Sequence, residues 1–243
     1  VREGFNGKII ATKPTLELAR LLLEDSVRII EEHAREQGLS TLYDAQDVMD
    51  AVQLFAPTGY HEPIQLNDVT IELRDAGHIL GSSQYIFTVS DTSGHSKNIL
   101  FAGDLGNSPS LLLPDTEFVD NADYVVIDSV YGDRNHEGRE ERASRFKYVV
   151  EKTIAEKGTL VIPAFSLERT QTILYELNQL VEAKQIPSVP VFLDSPLAIS
   201  VTEIYERMAE LFNNAVTTDI AGGDKIFEFP RFKETARVAE SHQ

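Results

Sequence analysis

The chain has 243 residues, enough for one large domain or two modest ones. Hydrophobic residues make up 42% and charged residues 25%, which suits an ordinary globular protein, and no stretch approaches the ~20 apolar residues of a membrane span. The net charge of −17 argues against broad electrostatic binding of nucleic acid, which leaves a basic footprint.

There is no cysteine, so disulfides and thiolate metal sites are excluded. A metal must then be held by His and carboxylate ligands, a set that suits zinc, manganese or iron. Such an ion would attract phosphate locally even in an acidic protein. The first residues, Val1-Arg2-Glu3-Gly4, lack a signal-peptide pattern, and a cytoplasmic location is the default expectation. They also lack an initiator Met, so the natural start is expected upstream.

Residues 8–12 (KIIAT) read as a short buried strand, and Pro14 opens a helix at a position where a missing N–H costs little. Leu18, Leu21, Leu22, Ile29, Ile30 and His33 supply its expected apolar face. Asp44 suits the cap of a short helix running through Ala51. From Val69 the period changes, with Val69, Ile71 and Leu73 alternating with polar residues as in a half-buried strand. Residues 85–89 and 98–101 are two more strands joined by the polar turn 90–97. Residues 124–127 (YVVI) are expected to form a strand buried on both faces.

Strict alternation follows. A helix carries Phe146, Val149, Val150 and Ile154 and stops at Gly158. A strand is expected over 159–162, then a helix with Ile173, Leu174, Leu177 and Leu180, then a strand over 190–193. Leu197, Val201, Ile204, Met208 and Leu211 mark a last helix. Alternating helix and strand predicts a parallel sheet. The change of pattern puts a boundary near Arg134, dividing the chain into 1–134 and 135–243. The tail from Ala221 on carries little pattern.

Four loops place polar residues where strands end. In 75–83 (DAGHILGSS), His78 sits between glycines that permit a tight turn, so its imidazole can enter a cleft. A glycine-rich turn with an incidental His fits the same residues. In 101–106 (FAGDLG), Asp104 is placed either as a metal ligand or as a cap of its own turn. In 128–134 (DSVYGDR), Asp128 adds a third carboxylate at a strand end, where ligands often gather. In 163–171 (PAFSLERTQ), Ser166 is a candidate cap, and Arg169 opposes the helix dipole, which suits either a phosphate contact or a solvated side chain. Asp194-Ser195-Pro196 reads as a cap followed by Pro at the first helical position. Of the other histidines, His33, His61, His95 and His242 have no partner pattern, and His136 lies in a mixed-charge segment.

Together and in this order, the motifs resemble the β-CASP branch of the metallo-β-lactamase superfamily. GFNGKIIATKPTLELARLLLEDS resembles the segment after the family's first metal-binding loop, DAGHILGSS its third metal motif and FAGDLG its fourth. DSVYGDRNH is similar to the start of the β-CASP insertion, where relatives mostly have Glu at the position of Asp128. IPAFSLERTQTILYEL and VFLDSPLAI resemble stretches inside that insertion.

The resemblance implies an α/β fold: a partial metallo-β-lactamase αββα sandwich over 1–134, then a partial β-CASP α/β domain with a parallel sheet over 135–243. It implies hydrolysis of RNA phosphodiester bonds by two zinc ions, in RNA processing or decay. His78 would bind one zinc and Asp104 would bridge both. Asp128 would orient a histidine that protonates the leaving group. Arg169 and His136 would contact RNA phosphates. The expected partner is single-stranded RNA, with a homodimer possible and no membrane. The family's His-x-His-x-Asp-His loop and its two later histidines are not in this sequence. The chain is therefore expected to be an internal segment, inactive as it stands, of an active parent. A DNA-processing β-CASP nuclease and a catalytically inactive scaffold paralogue in an RNA-processing complex are the alternatives.

Overall fold

The structure is a computed structural model, and it describes residues 1–90, 93–135, 138 and 141–236. The expected contact residue His136 lies outside the described residues. The chain divides into two units: Val1–Asp128 with Glu206–Leu211, and Ser129–Tyr205 with Phe212–Gln243.

Unit 1 opens with β1 (Ile9–Ala11), followed by α1 (Lys13–Gln37) and α2 (Ala45–Gln53). Thr12 caps α1 by accepting from the Thr15 N–H at 3.3 Å, and Gly38 ends it in the left-handed region at φ 65°. Asp44 caps α2 in a capping box with Asp47. The expected single apolar face of α1 is corrected. Pro14 and Leu18 are buried in the first half, Val27 and Ala34 in the second, and at about 100° per residue these pairs lie roughly half a turn apart. The helix changes its buried side because α2 packs on it. Ile29 is therefore left exposed, as is His33.

β1 pairs in parallel with β2 (Phe55–Pro57). The main sheet has the order β3-β4-β5-β6-β7, built from β3 (Ile64–Leu66), β4 (Val69–Asp75), β5 (Ser83–Ser90), β6 (Ser96–Gly103) and β7 (Tyr124–Ile127). All pairings are antiparallel except β6 with β7, which is parallel. Register puts Ile71 opposite Phe87 and Leu73 opposite Tyr85, so these four share a face. That face is tied to β1 by the Tyr85 hydroxyl, which donates to the Ile10 carbonyl at 2.8 Å. On the other face Ile86, Leu100 and Ala102 pack under Val119 and Ala122.

β7 departs from expectation. It is an edge strand, and Tyr124, Val125, Val126 and Ile127 are each more than half exposed. An apolar run is buried on both faces only when a layer packs on each side of the sheet, and all four of these residues, which alternate between the faces, are exposed. Here one edge is open among the described residues.

Unit 2 contains α3 (Arg142–Ala155), α4 (Arg169–Glu182), β8 (Val191–Leu193), α5 (Pro196–Arg207), α6 (Asn214–Ala221) and β9 (Phe232–Glu234). β8 and β9 are parallel, as alternation predicts, but they are the whole sheet among the described residues. Residues 159–162 form no strand, and Val161 is 79% exposed. β9 lies in the tail that carried little pattern. The core gathers Leu174 and Leu177 of α4, Val201 and Tyr205 of α5, and Phe212, Val216 and Phe227. Phe212 sits between Tyr205 and Phe227, with ring centroids 6.3 Å from each.

Candidate functional site

The site in unit 1 is set by strand direction. β4 and β6 both run antiparallel to β5, so they are parallel to each other and end at one end of the sheet. β7 is parallel to β6 and ends there too. His78 follows β4, Asp104 follows β6 and Asp128 follows β7, so topology brings all three to the same end. The register makes the last two neighbours: Gly103 pairs with Ile127, and Asp104 and Asp128 are the next residues on adjacent strands. β4 and β6 are not adjacent, however, because β5 lies between them. His78 and Asp104 therefore follow strands that are not neighbours.

Two loops close over β5 to bring them together. The Gly106 N–H donates to the Ala76 carbonyl at 2.8 Å, and the Thr116 hydroxyl donates to the same oxygen at 2.8 Å. Gly106 packs so close to Gly77 that a side chain has no room. Gly77 itself has φ 62°, and a Cβ there would lie 2.8 Å from the Thr116 nitrogen. The Ser82 hydroxyl accepts from the His78 and Ile79 N–H groups at 3.0 and 3.2 Å. The far side of this loop is held to α1, because the Thr12 and Thr15 hydroxyls both donate to the Gly81 carbonyl, at 2.7 and 2.9 Å. His78 Nε2 then stands 3.9 Å from Asp104 Oδ2, with side chains 45% and 69% exposed. Tetrahedral donors about 2.0–2.2 Å from one ion stand roughly 3.3–3.6 Å apart, so a small closure of the pair would bring both side chains onto a shared ion.

The His78 loop is backed by a carboxyl that sequence reasoning passed over. Asp75, the last residue of β4, accepts from the Gly77 N–H at 2.8 Å and lies beside the Tyr60 hydroxyl. Burial pushes its pKa up, with the Glu117 charge adding to the effect. The Tyr60 hydroxyl donates to the Ser82 carbonyl at 2.9 Å, and burial together with Asp75 raises its pKa. The signal was available: Asp75 begins the same motif that contains His78.

In unit 2, Arg169 is the exposed first residue of α4. Ser166 does not cap this helix. The N-cap is Glu168, at φ 60° and with no side-chain cap bond. Its carboxylate instead turns inward and accepts from Tyr205 at 2.6 Å and Thr172 at 3.4 Å. This inward turn leaves the neighbouring Arg169 to solvent. At the start of α5 the cap is Ser195, whose hydroxyl accepts from the Ala198 N–H at 3.2 Å, while Asp194 accepts from the Thr235 hydroxyl at 2.9 Å.

Burial raises the Glu168 pKa above the ordinary carboxylate value, opposed by the Tyr205 hydrogen bond. A carboxyl with a raised folded-state pKa contributes stability that is fully present below its unfolded value and is lost as pH rises through the folded one. Glu168→Gln keeps an acceptor for Tyr205 and removes that ionisation. Urea midpoints measured between about pH 4 and pH 8 should show the variant gaining on the parent sequence as pH rises. Parallel curves would mean that Glu168 does not titrate with folding.

Residues 170–243 match the Beta-Casp domain family. Over 93% of its length the chain is 32% identical to a Thermus thermophilus protein named as a ribonuclease, of which it covers 49%. Over 90% of its length it is 26% identical to the cleavage and polyadenylation specificity factor subunit 3-I of Arabidopsis thaliana, covering 31% of that protein. Over 88% it is 27% identical to an endoribonuclease of Schizosaccharomyces pombe, covering 28%. The chain thus spans about half or less of the length of these relatives. The similarity to these relatives runs along nearly the whole sequence, and the Beta-Casp domain match covers residues 170–243.

Proposed function

We propose that the parent protein hydrolyses phosphodiester bonds in RNA with two zinc ions, and that this chain supplies part of the catalytic site. The observation that carries the reading is the pairing of His78 Nε2 with Asp104 Oδ2 at 3.9 Å, on loops locked together through Gly106 and Ala76. The relatives' names, ribonuclease and endoribonuclease, favour RNA as the substrate.

Among the described residues no group of three His, Cys, Asp or Glu side chains is placed to hold an ion. A stable catalytic zinc takes about three protein ligands. His78 and Asp104 are read as this chain's share of the donors. No hydrolytic step is assigned to the chain alone, and we expect it to be inactive as it stands. Asp128, next to Asp104 across the β6–β7 pair, would orient a histidine supplied by the parent. Among the described residues no helix is long and apolar enough to cross a membrane. We propose a cytoplasmic protein that acts on single-stranded RNA as a homodimer.

With a net charge of −17, RNA affinity has to come from local contacts rather than from a basic face. Arg169 is the candidate for one of them. In the parent protein, Arg169→Ala should weaken RNA binding and lower the slope of log affinity against log salt by about one unit. An unchanged slope would remove Arg169 from the interface.

A further inference from the structure

A depression of about 310 Å³ opens beside the start of α1, entirely within unit 1. Lys13, Pro14, Pro57, Tyr60, Met208 and Leu211 form most of its wall. That volume is at the small end of ligand pockets and suits one nucleotide rather than a longer stretch.

Its position is tied to the His78 loop at two points. Tyr60 donates to the Ser82 carbonyl at 2.9 Å, and the hydroxyl of the same Ser82 holds the His78 N–H at 3.0 Å. Thr12, which also lines the depression, donates to the Gly81 carbonyl at 2.7 Å. Thr12 and Tyr60 thus join the depression to the far side of the His78 loop. The chemistry of the lining is divided. Pro57, Met208 and Leu211 offer an apolar surface to the face of a base, a contact that tolerates any base. Lys13 offers a cation to a phosphate. Glu210 lines the pocket as well and repels phosphate, so the anionic group is directed toward Lys13.

We propose that this depression is a subsite for one nucleotide of single-stranded RNA, behind the loop that carries His78. The proposal rests on the RNA-nuclease reading and adds a location to it. It places the base against the Pro57, Met208 and Leu211 wall and the phosphate at Lys13.

The test uses the full 243-residue chain with two probes, uridine 5′-monophosphate and a short labelled single-stranded RNA. Both should bind. Lys13→Glu should weaken both by about tenfold or more, and Lys13→Arg should stay within about threefold of the parent sequence. Lys152→Glu, the same charge change on α3, should leave both affinities within that range. RNA binding that is insensitive to Lys13→Glu but weakened by Arg169→Ala would overturn the subsite and leave the nuclease reading standing. Failure of the unmodified chain to bind either probe would overturn the subsite, and RNA cleavage by the parent protein would then judge the nuclease reading separately.

Discussion

Gly106→Ala should destabilise unit 1 by about 3 kcal/mol and lower the thermal midpoint by roughly 6–12 °C. A Cβ at this position would be driven into the Gly77 carbonyl, far inside van der Waals contact. The obstacle is backbone, not the end of a flexible side chain, so it cannot swing aside. The loop after β6 would have to lift away from the loop after β4, which breaks the Gly106 to Ala76 hydrogen bond and leaves the Ala76 carbonyl with Thr116 alone. Because that contact also sets the spacing of His78 and Asp104, the variant should lose any metal affinity of the parent protein along with its stability. Gly103→Ala serves as a comparison. A Cβ at Gly103 meets nothing within 4 Å, and its cost is the strain of φ 59° in a residue with a side chain. A Gly106→Ala protein with the thermal midpoint and metal content of the unmodified sequence would show that the two loops are not held as described.

His78→Ala in the parent protein should lower RNA cleavage on the order of a thousandfold, roughly 4 kcal/mol of transition-state stabilisation. Stability should hardly change. The side chain is 45% exposed, and the bond that fixes this residue to Ser82 comes from its backbone N–H, which alanine retains. That combination separates a residue that acts on the reaction from one that holds the fold. Ser82→Ala is the contrast. It frees the His78 and Ile79 N–H groups, so it should lose cleavage through loop disorder and lose stability as well. A His78→Ala protein that cleaves RNA at the rate of the unmodified parent would remove His78 from the site.

What the sequence made legible follows from the range of the forces involved. Caps and turns depend on residues close in the chain, so Asp44, Ser195 and the glycines around His78 could be read directly. The strands from Val69 to Phe101 alternate cleanly because one face meets β1 and the other meets the segment carrying Val119 and Ala122. β7 and residues 159–162 carry the same apolar signature without the burial. Periodicity records which side chains favour a strand, not whether neighbours flank it. The second half of α1 was misread for a related reason: only the tertiary contact with α2 tells which side of that helix is buried. At the candidate site the motif loops were visible, but their closure across β5 was not, because it depends on the Gly106 and Thr116 bonds to one distant carbonyl. Glu168 was passed over because its partner Tyr205 lies 37 residues away.

In the proposed function this chain holds part of one metal site and not a whole one. Metal analysis after zinc equilibration, on the 243-residue chain and on the full parent protein side by side, tests it directly. The account predicts two zinc ions per parent molecule and well under one per molecule of the short chain, with the parent alone cleaving labelled single-stranded RNA. Two tightly held zinc ions on the short chain, or RNA cleavage by it that His78→Ala abolishes, would contradict the account and show that the chain contains a complete site.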